Sequence, residues 1–251
     1  MVYFVGAGSG AKDLITVRGM RLLASADVIV YAGSLVNPEL LGYARPECEI
    51  HDSARMTLDE VIAVMQHAEA SGKTTVRLHT GDPCIFGAIR EQMDRLDALG
   101  IGYEICPGVS SFCGAAAALR AEYTLPEVSQ TVILTRMAGR TPVPEAEQIR
   151  ALAAHQATMV IFLSAGMLGE LSAQLIEGGY PADTPAAIVY KATWPDETVC
   201  RCTVGTLAET AAAHGIRKTA LITVGRFLGD NRALSKLYDP AFETEFRRAK
   251  S

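Results

Sequence analysis

Short β-branched runs alternate with amphipathic segments along most of the chain, and this alternation restricts it to α/β construction with a parallel sheet. In the first half the runs are Val2 to Val5, Asp27 to Tyr31, Glu49 to His51, Thr75 to His79 and Tyr103 to Cys106. The clearest helix lies between the third and fourth. Thr57 opens it with Glu60 three residues on, a capping-box spacing, and Leu58, Val61, Ile62, Met65 and Ala68 form one apolar face before Gly72 closes it. After Leu119 the stretch from Glu122 to Glu127 is neither periodic nor strongly apolar, and Pro126 bars a helix there. The expected division is therefore an N-terminal α/β domain over 1–121, a C-terminal mixed α/β domain over 122–228, and a tail or helix over 229–251. In the second domain strands are expected at Thr131 to Thr135, Met159 to Leu163, Ala187 to Tyr190, Val199 to Val204 and Ala220 to Val224. The close pair of strand-like positions at Cys200 and Cys202 points to some antiparallel pairing in that half.

Composition narrows the function classes. With 251 residues, 49% of them hydrophobic, the chain can bury a full core without disulfides or metals. Lys and Arg number 23 against 28 Asp and Glu, and no basic run breaks the mixture, which disfavours nucleic acid and anionic membranes as partners. The start Met1-Val2-Tyr3-Phe4-Val5 lacks the pattern of a signal peptide, and no apolar stretch nears the roughly 20 residues that span a bilayer. The six cysteines, at 48, 84, 106, 113, 200 and 202, sit in apolar or strand-like runs with no metal-ligand spacing. They read as reduced core residues of a cytoplasmic protein with no metal site.

Several familiar motifs fail on inspection. Gly6-Ala7-Gly8-Ser9-Gly10-Ala11 follows the first strand and can be forced into a dinucleotide pattern. However, the second strand ends in Tyr31-Ala32-Gly33-Ser34 with no acid for a ribose, and the nearest helix start is displaced to Thr16. Gly72-Lys73-Thr74 imitates the end of a phosphate loop, but His67 stands where that loop needs glycine, so the segment is a helix C-cap. The five histidines form no ligand set, and His79 at a strand end reads as structural more readily than catalytic. Two loops are more informative. Thr80-Gly81-Asp82-Pro83-Cys84-Ile85-Phe86-Gly87 follows the fourth strand, and Pro107-Gly108-Val109-Ser110-Ser111-Phe112 follows the fifth. In an open α/β sheet ligands collect at the C-terminal strand edge, where small-residue loops admit close backbone approach.

Taken together, the opening Val5-Gly6-Ala7-Gly8-Ser9-Gly10 with Asp13-Leu14-Ile15-Thr16, the Gly81-Asp82-Pro83 and Pro107-Gly108-Val109-Ser110-Ser111 loops, and Thr219-Ala220-Leu221-Ile222-Thr223-Val224-Gly225 resemble the tetrapyrrole methylase family of S-adenosylmethionine-dependent enzymes. Several ordered motifs over residues 1 to 228 are more specific than any one glycine loop. The resemblance implies two α/β domains with the cofactor in the cleft between them, S-adenosylhomocysteine as product, and a homodimer. Carried over position by position, it implicates Ser9, Thr80, Gly81, Asp82, Ile85, Ser110, Ser111, Leu163, Ala192, Thr219 and Ala220 in holding the cofactor. Position 9 is Ser where many members have Pro, which leaves the first loop less rigid.

Within the family, Tyr31-Ala32-Gly33-Ser34-Leu35-Val36 and the stretch from Leu125 to Arg136 are similar to the branch that methylates C11 of precorrin-4 in cobalamin biosynthesis. Members acting on uroporphyrinogen tend to carry Asp where this chain has Ala32, so no catalytic base is assigned. The tetrapyrrole is a polycarboxylate and calls for local cations; Arg136, Arg140 and Lys191 are the candidates. Whether the acceptor carries cobalt stays open. So do methylation at another macrocycle carbon and a non-enzymatic role as a small-molecule binder.

Overall fold

A computed structural model of the chain describes residues 1–33, 35–229 and 235–249; Ser34 of the second-strand motif and part of the expected tail lie outside them. The elements in order are β1 (Val2–Gly6), α1 (Val17–Ser25), β2 (Val28–Tyr31), β3 (Glu49–Asp52), α2 (Leu58–Ala70), β4 (Thr75–His79), α3 (Arg90–Ala98), β5 (Tyr103–Cys106) and α4 (Ser111–Leu119). There follow β6 (Val132–Arg136), α5 (Ile149–Ala153), β7 (Thr158–Phe162), α6 (Leu168–Glu177), β8 (Pro185–Tyr190), β9 (Thr198–Thr203), α7 (Leu207–Ala213) and β10 (Ala220–Val224). Each run read as a strand from the sequence forms one, with ends shifted by at most two residues.

The chain divides into two compact units, one of Met1–Ala115 with Lys191–Glu197, the other of Ala116–Tyr190 with Thr198–Ser251. The first crossing between units thus falls inside α4, ahead of the boundary expected at 121/122, and the segment Lys191–Glu197 returns to the first unit.

The first unit is a parallel sheet in the order β3-β2-β4-β1-β5. One face buries Val2, Phe4, Val28 and Val30 against Val61, Ile62 and Met65 of α2 and Leu96 of α3. The other buries Val5, Ile29, Val76 and Leu78 against Leu23 of α1 and Leu40. Apolar strands covered on both faces are what a parallel sheet requires. The capping box forms: the Thr57 N–H donates to Glu60 Oε2 at 2.6 Å, and the Glu60 N–H donates to Thr57 Oγ1 at 3.3 Å. Thr16 caps α1 by accepting from the Gly19 N–H, so the glycine run before it does not open that helix.

The second unit is a mixed sheet in the order β6-β7-β10-β8-β9, with β6 parallel to β7 and the remaining pairs antiparallel. Met159, Ile161, Ile188 and Ile222 pack against Ile149 of α5, Leu171 and Leu175 of α6, and Leu207 of α7. Of the expected tail, residues 235–249 form a short helical turn at Lys236–Tyr238 and a tight bridge between Thr244 and Arg247. The Arg247 guanidinium closes it by donating to the carbonyls of Leu237, Asp239 and Phe242.

Candidate functional site

Three neighbouring strands of the first sheet, β4, β1 and the edge strand β5, lead into glycines that touch one another. A side-chain carbon on Gly6 would stand 2.5 Å from Gly108 Cα and 2.6 Å from the Gly81 carbonyl oxygen. One on Gly108 would stand 2.2 Å from the same oxygen and 2.7 Å from Gly6 Cα. Only hydrogen fits at either position. Gly81, with φ +60°, exchanges backbone hydrogen bonds with Gly8, and its open side faces Ser110 and the Ser111 N–H at the start of α4. Asp82 fastens the two loops together. Its Oδ1 accepts from the Cys84 N–H at 2.7 Å, and its Oδ2 accepts from the Gly108 N–H at 3.0 Å.

The segment 191–197 belongs to this unit and grips the first glycine loop. Thr193 Oγ1 accepts from the Ala11 N–H at 3.0 Å and lies 3.2 Å from Ser9 Oγ. The Trp194 ring lies against Gly10, where a side-chain carbon would come within 2.2 Å of it. Ala192 is thereby buried beside the loop that carries Ser9. Ser9, Thr80, Gly81, Asp82, Ile85, Ser110, Ser111 and Ala192 accordingly all belong to the first unit; all but Ala192 lie on the loops that follow β1, β4 and β5 or, for Ser111, at the first position of α4. Thr193 and Trp194 carry no motif; of this segment only Lys191, as a candidate cation, and Ala192, through the family resemblance, were legible from the sequence.

Leu163, Thr219 and Ala220 belong to the second unit. Ile161 pairs with Ile222 in the antiparallel register of β7 and β10, so the next step outward sets Leu163 across from Ala220. Leu163 was expected to extend β7; instead it leaves the strand at φ +52°, and Thr219 enters β10 at φ +56°. Left-handed backbone at two non-glycine residues at the ends of paired strands is strain of the kind found at binding sites. Leu163 is also 63% exposed, unusual for leucine at a strand end. The buried Ser164 holds this turn to the end of β6. Its hydroxyl donates to the Phe162 carbonyl at 2.7 Å and accepts from the Met137 N–H at 3.0 Å.

The three cations differ in what they are free to do. Arg136 donates to the carbonyls of Met137, Thr141 and Pro142, at 3.1, 3.2 and 2.8 Å, and so braces its own loop. Arg140 is exposed on that loop. Lys191 belongs to the first unit, paired with Asp196 at 2.6 Å and lying over the Trp194 ring. Of the cysteines only Cys106 and Cys200 are buried; Cys84 and Cys113 are exposed and the other two half-buried, which corrects the reading of all six as core. All six are free thiols, and burial together with Asp82 pushes the Cys84 thiol up, away from thiolate chemistry.

A model of the tetrapyrrole (corrin/porphyrin) methylases matches residues 1–208, and the chain belongs to that family. It is 54% identical to a cobalt-precorrin-4 C(11)-methyltransferase of Methanocaldococcus jannaschii over 99% of this chain and 96% of that one. To a precorrin-4 C(11)-methyltransferase of a Sinorhizobium species it is 47% identical over 98% of each. Among solved structures, a cobalt precorrin-4 methyltransferase superposes with a TM-score of 0.89 at 47% identity, covering 91% of this chain and 96% of that one. A uroporphyrin-III C-methyltransferase from Thermus thermophilus complexed with S-adenosylhomocysteine gives 0.76 at 26% identity, covering 91% and 93%. Among the described residues no helix is long and apolar enough to cross a membrane.

Proposed function

We propose that the chain is an S-adenosylmethionine-dependent methyltransferase of cobalamin biosynthesis that methylates C11 of precorrin-4 to give precorrin-5. The observation that carries this is the contact of Gly6, Gly81 and Gly108, which lays bare backbone at the C-terminal edge of a parallel sheet in a chain of this family. The residues fit the cofactor: mostly small and mostly uncharged, with glycine backbone free of side chains where the loops meet. Ser9, Thr80, Gly81, Asp82, Ile85, Ser110, Ser111 and Ala192 of the first unit, and Leu163, Thr219 and Ala220 of the second, are assigned to it. When bound, S-adenosylmethionine would supply a methyl group on a cationic sulfur: an electron-rich carbon of a reduced tetrapyrrole bonds to that methyl as the S–CH3 bond breaks, and the neutral thioether S-adenosylhomocysteine leaves. The chain's own work is then alignment and exclusion of water. Arg140 meets the acceptor's carboxylates, Arg136 holds the loop that presents it and offers its remaining donors, and Lys191 stands beside the cofactor wall. The cobalt chelate of the same acceptor is the second reading, favoured by the name of the relative at 54% identity. The protein is read as a cytoplasmic homodimer, which light scattering at micromolar concentration checks.

Asp82→Ala removes the acceptor of two loop N–H groups. It is expected to weaken S-adenosylmethionine binding by more than about 1 kcal/mol, roughly five-fold, in a folded protein. Calorimetry measures this, and unchanged affinity would remove Asp82 from the site. The function itself is tested by turnover. S-adenosylhomocysteine should form only when a reduced tetrapyrrole is added, and Arg140→Ala should raise its KM several-fold. Binding of S-adenosylmethionine without any acceptor-dependent product would leave a binder, not an enzyme.

A further inference from the structure

Arg77 and His79 lie on the face of β4 that looks toward α2 and α3, where their neighbours are apolar. Both are buried, 7% and 5% exposed. Arg77 donates from Nε to Gln92 Oε1 at 3.1 Å and from Nη1 to the Val30 carbonyl at 3.2 Å. Among the described residues it has no carboxylate partner, and His79 Nε2 has no hydrogen-bond partner at all. A buried cation without a counter-charge and a buried ring nitrogen without a partner each cost stability. The two together, on one cavity wall, mark a place where something else supplies the missing groups.

That cavity, of about 270 Å³, has Arg77, His79, Gln92, Ser53, Thr57 and Thr80 in its lining, with apolar side chains between them. Glu91 is the one acid of its lining and is exposed. Phe86 and Ala88, in the loop over it, both hold left-handed backbone, with φ +54° and +50°. Thr80 and Ile85 belong both to this lining and to the loop assigned above to the cofactor. The volume falls below what drug-sized ligands occupy and is far too small for a tetrapyrrole ring, but it accommodates one acidic side arm.

We propose that this cavity is the pocket for one carboxylate side arm of the tetrapyrrole acceptor, held by the Arg77 guanidinium and His79 Nε2–H. The inference rests on the function proposed above and deepens it. A carboxylate supplies both missing groups: a charge for Arg77 and an acceptor for the imidazole N–H. Because burial and the neighbouring Arg77 depress the His79 pKa to about 3, the ring meets the anion as a neutral donor. Arg77 remains charged at neutral pH although burial lowers it to about 10.

The test uses uroporphyrin III, a stable octacarboxylate, with the protein saturated in S-adenosylhomocysteine and binding followed by quenching of porphyrin fluorescence. His79→Leu is expected to weaken uroporphyrin about ten-fold, and His79→Gln, which keeps a donor, less than three-fold. Neither should change S-adenosylhomocysteine affinity more than two-fold. His79→Leu should also raise Tm by about 2–4 °C, since it removes an unpartnered buried nitrogen; a purely structural histidine would lower it. His79→Leu binding uroporphyrin as tightly as the parent, or a parent that binds none, overturns the pocket. A parent that binds uroporphyrin in a His79-dependent way yet leaves precorrin-4 unmethylated supports the pocket and contradicts the proposed function.

Discussion

Gly108→Ala is expected to lower stability by about 3 kcal/mol and to weaken S-adenosylmethionine at least ten-fold. The new carbon would sit 2.2 Å from the Gly81 carbonyl oxygen and 2.7 Å from Gly6 Cα, and both obstacles are backbone at the C-terminal edge of a parallel sheet. No rotamer relieves such a clash, so the strand ends must separate. Overpacking of this kind costs about 1–3 kcal/mol and at times more, and the loop carrying Ser110 and Ser111 moves with Gly108. For a domain of this size the loss corresponds to a fall in Tm of roughly 6–12 °C. Gly72→Ala is the control: it has left-handed φ of +67° but nothing within 4 Å of the added carbon. It should cost only about 1–2 kcal/mol and leave cofactor affinity intact. Equal effects of the two substitutions on binding would show that the glycine contact does not shape the site.

Acid should destabilise the protein through His79. In the unfolded chain this histidine titrates near its ordinary 6.5, whereas in the fold burial and Arg77 hold it at about 3. Above pH 6.5 both states are neutral there and stability is whole. As pH falls below 6.5 the unfolded chain takes a proton that the folded chain refuses, and stability drains away until about pH 3. By pH 4 the loss from this one group reaches about 3 kcal/mol. Urea unfolding of the parent and of His79→Leu at pH 7 and pH 4 isolates it, because the other carboxylates and histidines titrate alike in both. The parent should lose about 3 kcal/mol more than the variant; equal losses would mean that His79 is protonated freely in the fold.

Local regularities of the chain were legible because they are written in local spacing. Thr57 and Glu60 announce α2 three residues apart, β-branched runs mark all ten strands, and the Cys200 and Cys202 pair correctly signals the antiparallel β8 and β9. Unreadable features depend on residues far apart in the chain. Thr193 reaches back 182 and 184 positions to Ala11 and Ser9, so nothing around it shows that 191–197 belongs with the first unit. Arg136 looked like a free guanidinium because the turn that follows carries no sign that its own carbonyls would take three of the donor contacts. That His79 Nε2 is buried without a hydrogen-bond partner is likewise invisible in a sequence, which shows neither burial nor partners. Leu163 reads as one more apolar residue of a strand, and only the register with β10 shows that the strand has already ended.

The central claim is the position of methylation, and the product reports it directly. Purified protein is supplied with precorrin-4 and S-adenosylmethionine carrying an isotope-labelled methyl, and the tetrapyrrole formed is analysed by mass spectrometry and NMR. The account predicts a gain of one methyl group with the label on C11. A label on any other carbon, or unchanged precorrin-4 while the cobalt chelate is also refused, would contradict it.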